Sequence, residues 1–234
     1  MRTGNLAGAE KAFLEANELG WDPQPGLALL RLAQGDVRTA AASIREAVEN
    51  PSQVQFWERP PNTDMRIAPV LEAQVEIAVA AGDLDRARSA AVELERIAGV
   101  LGTKAFRATA AIARGQIELA DGHASEAGAS FGQGATLWKE LGAPFETARA
   151  RLGVASAHLV SGNEERALLE IQAARSTFER LGAKLDVRRA TRMAEEFRPT
   201  EALGAREEKV FMFSDIVRST DLVELIGDEA WGHL

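Results

Sequence analysis

The chain has no cysteine, no tyrosine and only three histidines in 234 residues. Without cysteine there is no disulfide and no thiolate metal site, a composition that fits a reducing compartment. The histidines, at 123, 158 and 233, are too scattered to build a metal site. No apolar run approaches the length of a membrane span. The opening residues, Met1-Arg2-Thr3-Gly4-Asn5-Leu6, lack the apolar core of a signal peptide. A cytoplasmic chain with no membrane partner is expected. Positive charge is also scarce. A net charge of −8 argues against DNA as a partner, because phosphate binding needs a clustered basic surface. The densest basic patch, Arg188, Arg189, Arg192 and Arg198, is interleaved with Glu195 and Glu196 and reads as a solvated helix face. No serine-histidine-acid arrangement, P-loop or dinucleotide fingerprint is present.

What is abundant is alanine, together with glycine in an ordered pattern. Hydrophobic residues at 46% and charged residues at 26% give the balance of a globular chain. Four glycines are each followed five residues later by alanine: Gly35/Ala40, Gly82/Ala87, Gly122/Ala127 and Gly162/Ala167. The residue after each glycine is Asp36, Asp83, His123 or Asn163, and the two aspartates and the asparagine are good N-caps. A helix that ends on glycine and a cap that launches the next one make a tight helix hairpin.

The register after each turn repeats as well. Ala87, Ala91, Leu94, Ala98 and Leu101 step by four, three, four and three. Ala127, Phe131, Gly134, Trp138 and Leu141 follow the same steps 40 residues on, and Ala167, Ile171, Ala174, Phe178 and Leu181 after another 40. Each set lies on one helix face, and Leu-Gly closes each helix at 101–102, 141–142 and 181–182. One apolar stripe per constant period is the mark of stacked helical repeats. Small residues let the helix axes approach, and Phe131, Trp138 and Phe178 fill the gaps between layers.

These residues resemble the tetratricopeptide family over about 1–198, with a period near 40 in place of the family's shorter unit and without its closing proline in most units. The segment is similar to the helical-repeat regions of bacterial signalling regulators, including LuxR-type ones, through Gln24-Pro25-Gly26-Leu27-Ala28 and Leu30-Arg31-Leu32-Ala33-Gln34-Gly35. The resemblance implies a protein or peptide partner and no cofactor in this segment.

In chain order, Ala9, Ala12, Ala16 and Leu19 align with the last four stripe positions, as though the chain began inside the second helix of a unit. Helices are expected to Gln34, over 36–49, and from an Asp64 cap to Ala81 with Ile67, Leu71, Val75 and Ala78 inward. Between Val54 and Thr63, an irregular stretch holds Phe56, Trp57, Pro60 and Pro61. Aromatics folded back onto the repeats are favoured there over a partner contact. Further helices are expected near 104–121, 145–161 and 186–198, the last with Val187, Ala190, Met193, Ala194 and Phe197 on one face. Residues 199–208 read as a polar linker, and a domain boundary belongs there.

The tail differs in kind. Residues 209–214 are β-prone and mostly apolar, Asp215 closes that strand, and Ser219 and Thr220 suit a helix start. An acid at a strand end beside a helix N-terminus suits a metal or a phosphate, and a turn-forming Asp explains it equally well. The string Val210-Phe211-Met212-Phe213-Ser214-Asp215-Ile216-Val217-Arg218-Ser219-Thr220-Asp221-Leu222, with Gly227-Asp228-Glu229-Ala230-Trp231, closely resembles the opening of a class III adenylate/guanylate cyclase catalytic domain.

That resemblance implies that Asp215 is the first of two metal-holding aspartates and that the Ile216 carbonyl is a backbone ligand. It also implies that the amides of Val217, Arg218, Ser219 and Thr220 cradle nucleotide phosphates. Mg2+ or Mn2+, with ATP or GTP, belongs only to a complete domain, where two cations serve the transfer and more than one acid is needed. The family forms its site between two catalytic domains, so a homodimer through that domain is implied.

With the second aspartate and the remaining site residues expected beyond Leu234, the 234-residue chain should not catalyse. The fold expected is all-α, a tetratricopeptide-like α-solenoid of antiparallel helix pairs (1–198), then a linker (199–208) and a short C-terminal β-α fragment of an α/β cyclase domain (209–234). The alternative is a helical-repeat interaction module of a LuxR-type transcriptional regulator without cyclase activity, which would require a basic helix-turn-helix after the repeats.

Overall fold

A computed structural model describes residues 3–51 and 63–196. The aromatic stretch around Phe56 and Trp57, the expected linker and the 209–234 segment lie outside the described residues. Among those described, all regular structure is helical: α1 (Leu6–Glu18), α2 (Gly26–Ala33), α3 (Val37–Glu49), α4 (Thr63–Ala81), α5 (Leu84–Leu101), α6 (Lys104–Ala120), α7 (Ala124–Glu140), α8 (Pro144–Val160), α9 (Glu164–Arg180) and α10 (Lys184–Glu196).

The turns carry the local logic. Gly35 and Gly122 sit at φ 87° and 84°, a left-handed conformation that glycine adopts without a Cβ clash. At the second of these turns, the His123 amide donates back to the Glu118 carbonyl at 2.8 Å and the Gly122 amide to Leu119 at 3.1 Å. This paired arrangement satisfies carbonyls that the helix end would otherwise leave bare. The Asp36 and Asp83 carboxylates accept from the amides of Thr39 and Arg86, at 3.1 and 3.2 Å, and cap α3 and α5. Asn163 and His123 occupy the same cap position without a side-chain bond.

Asp64 departs from its expected role. It lies inside the first turn of α4, and its carboxylate takes a 2.7 Å bond from Arg96 on α5. An acid there still suits the helix N-terminus.

Consecutive helices pack on one another, and turns of two or three residues make α5 through α10 antiparallel neighbours. The even-numbered helices also touch their next-but-one partners, α2 to α4, α4 to α6 and α6 to α8. Spacing is therefore tighter on their side, and the stack curves with the even-numbered helices inside. This is an all-helical, repeat-like fold.

The core follows the stripes. Ala87, Ala91, Leu94 and Ala98 of α5 are buried, as are Ala127 and Phe131 of α7 and Ala167, Ile171, Ala174 and Phe178 of α9. The fifth stripe position behaves differently after α7 and α9. Leu141 and Leu181 fall past their helix ends and are 45% and 47% exposed. Alanines such as Ala90, Ala110, Ala113, Ala155 and Ala157 fill the helix contacts, so few aromatics are needed. Where one is used it is tightly held: Phe145 meets Phe178 edge-on, with ring centroids 5.6 Å apart.

The N-terminal register is only partly kept. α1 buries no residue fully, and Leu14 and Leu19 are exposed. Phe13 makes the close contact instead, its ring lying against Gly26 of α2 where a Cβ would come within 2.5 Å.

Candidate functional site: the inner face of the stack

The sequence-derived site residues, Asp215, Ile216, Val217, Arg218, Ser219 and Thr220, lie outside the described residues. His158 sits half-buried near the end of α8, and His123 is exposed at the N-cap of α7. Among the described residues no group of three or more His, Cys, Asp or Glu side chains is placed to hold a metal ion.

The structure instead gathers charge on the inner face. Glu72 and Glu76 stand one turn apart on α4. Arg149 reaches toward them from α8, donating from Nη2 to Glu76 Oε2 at 2.8 Å, with Nη1 3.9 Å from Glu72 Oε1. From α10, Arg189 Nη1 comes to 3.8 Å from the other Glu76 oxygen. Three inner helices thus meet at one carboxylate.

The other interhelical pairs are mostly local. Arg151 joins α8 to α9 through Glu170 at 2.6 Å, and Arg114 joins α6 to Glu95 of α5 and to Ser130 and Gln133 of α7. Surface pairs of that kind contribute about 0–1 kcal/mol each.

Two titrations show the character of this face. The Glu72 carboxyl is raised above the ordinary range, first because surrounding protein replaces water, with Glu76 and Glu146 adding repulsion against the opposing pull of Arg149. Its side chain is still 42% exposed by area, as expected for a residue in a groove wall that water touches from one side only. Arg149 is held more firmly charged than usual, chiefly by Glu76 and then Glu72 and Asp186, against the cost of its own desolvation.

A second feature is a shallow open hollow of about 520 Å³ between α3 and the end of α4, lined by Val37, Arg38, Ala41, Ala42, Arg45, Ala80 and Ala81. It is small-residue surface edged by two arginines and carries no catalytic group.

Arg189 belongs to the basic patch expected on a solvated face, and it is 62% exposed, whereas Arg149 stands outside that patch. A signal was present. Arg149 and Arg189 stand 40 residues apart, in phase with Ala110, Ala150 and Ala190 on the inner helices.

No protein-family model matches the sequence. No characterised protein matches it either. Among solved structures, the chain is similar to BtubC (BKLC) from P. vanneervenii, at 16% identity and a TM-score of 0.48, covering 90% of this chain and 97% of that one.

Proposed function

We propose that the chain is a segment of a bacterial adenylate/guanylate cyclase-type signalling protein. A tetratricopeptide-like solenoid serves as its regulatory, protein-interaction module, and residues 209–234 open the catalytic domain. The observation that carries this reading is the 210–222 string with its Gly227–Trp231 continuation, a β-prone apolar run ending on an acid and followed by polar residues. In that reading Asp215 and the Ile216 carbonyl would hold Mg2+ or Mn2+, and the amides from Val217 to Thr220 would receive the phosphates of ATP or GTP. The curved stack supports the regulatory part, because a concave face lined by several helices suits an extended protein segment.

The test is biochemical. Expressed together with the reading frame that follows Leu234, the protein should form cyclic nucleotide from ATP or GTP with Mn2+, and Asp215→Ala should abolish it. The 234-residue chain alone should form none. Turnover by the short chain, or a following frame without a second metal aspartate in a Gly-Asp hairpin, overturns the reading. A basic helix-turn-helix there would instead favour the regulator module resembled by residues 24–35.

A further inference from the structure

We propose that Glu76, Arg149 and Arg189 form an ion-pair clasp across the concave side of the stack, which sets how tightly the inner helices curve. In stacked repeats each unit touches mainly its neighbours, so curvature is the sum of small rotations at successive interfaces. The Arg149–Glu76 bond is not of that kind. It spans 73 residues and joins α4 to α8, passing over α6, whereas Arg151 and Glu170 pair across 19 residues between adjacent helices. Arg189 extends the same connection to α10.

The layer beneath permits this crossing. Thr109, the α6 position in phase with Arg149, is small and buried, so no large side chain projects from that position between α4 and α8. A second contact brings the stack's ends together on their own account: a Cβ on Gly4 would lie 3.3 Å from Lys184 Cβ and from the Arg188 guanidinium.

The clasp is chemically distinct from the repeat cores. Each core is apolar and closed within adjacent helices, as in the cluster of Leu152, Ile171 and Phe178. Neutralising Glu76 therefore leaves the repeats folded and removes a constraint that acts between them. Any group that engages Glu76 or Arg149 better than they engage each other would release the clasp and let the inner helices relax. This holds whether or not residues 209–234 open a cyclase domain.

The absence of cysteine makes the test clean. Ala80→Cys on α4 and Val160→Cys on α8 are exposed, equivalent positions two repeats apart, and spin labels there read the α4–α8 gap in the full chain. Glu76→Gln and Arg149→Gln should each lengthen and broaden that distance distribution relative to the parent. Arg151→Gln, which breaks an adjacent-helix pair of similar geometry, should not. Unchanged distributions in the Glu76→Gln and Arg149→Gln chains overturn the clasp, as does an equal shift in Arg151→Gln. Far-UV circular dichroism selects variants that keep the helical fold. If neither clasp variant keeps it, the parent labelled pair is read between about 0.01 and 1 M salt, over which the screening length falls roughly tenfold. An invariant distance there is then the refuting result.

Discussion

Alanine scanning of the helical glycines tests the packing at its tightest point. In an open helix interior, glycine to alanine stabilises by up to about 1 kcal/mol, because the glycine chain loses more freedom on folding. Gly99 and Gly132 are such positions, with nothing within 4 Å of a built Cβ. Gly153 of α8 is the opposite case. Its Cβ would lie 2.4 Å from Phe131 Cδ1 and 2.6 Å from Cγ, so the ring would have to move by about 1 Å to regain ordinary carbon contact. The ring has little room for that. Phe131 is 3% exposed, and on α6 it already lies 3.1 Å from where a Gly115 Cβ would stand.

Overpacking of that kind costs about 1–3 kcal/mol. It outweighs the propensity gain, and Gly153→Ala should destabilise by about 1–2 kcal/mol net. At this chain length that lowers the melting temperature by about 2–8 °C, while Gly132→Ala raises it by up to about 4 °C.

The decisive form is a double-mutant cycle with Phe131→Ala, followed by circular dichroism melting. Removing the ring alone should cost about 3–5 kcal/mol. In that background Gly153→Ala should change sign and become stabilising, giving a coupling of about 2–3 kcal/mol between two residues in contact. If Gly153→Ala stabilises the parent as Gly132→Ala does, or stays harmful without the ring, the glycine is not there to receive Phe131.

Two further outcomes test charge and capping. The native Glu72 carboxyl holds its proton more tightly than the unfolded chain does. Its contribution therefore favours folding below the unfolded value and is lost as pH rises through the folded one. Urea unfolding against pH should show this falling component in the parent and not in Glu72→Gln, which at pH 7 should be no less stable; a less stable variant would refute the assignment. Asp83→Ala, which removes the amide acceptor at the start of α5, should cost about 1 kcal/mol in thermal melts, and Asp83→Asn should recover most of it. Equal losses from the two variants would mean that the charge toward Arg86, not the cap, is what matters.

The outer helices were legible because each repeats one stripe after one glycine turn. Period, register and turn chemistry agree there, and agreement between levels is what makes a sequence readable. The extents of the inner helices follow from the same turns: those expected near 104–121, 145–161 and 186–198 are found at Lys104–Ala120, Pro144–Val160 and Lys184–Glu196. The misreadings have local causes. Asp64 looks like a cap because it is an acid before an apolar run, yet its partner is Arg96, 32 residues away on the next helix. Leu141 and Leu181 keep the period but have run off the end of their helices, where they stand about half exposed.

The inner face was harder to read for a deeper reason: its chemistry is only partly repeated. Positions equivalent to Arg149 are Pro69, Thr109 and Arg189, so the arginine recurs in α8 and α10 and not in α4 or α6. Its acidic partners break a different rule. Glu72 and Glu76 are like charges four residues apart on one helix, a spacing that destabilises an isolated helix by a few tenths of a kcal/mol. Such a pair persists where a cation from elsewhere sits between the two carboxylates, and Arg149 does so here. A local electrostatic misfit inside an otherwise consistent repeat thus marks the place where a distant helix arrives. The same logic gives the clasp its sensitivity, since losing Arg149 from the groove leaves the two carboxylates facing each other, with Arg189 standing 3.8 Å from Glu76.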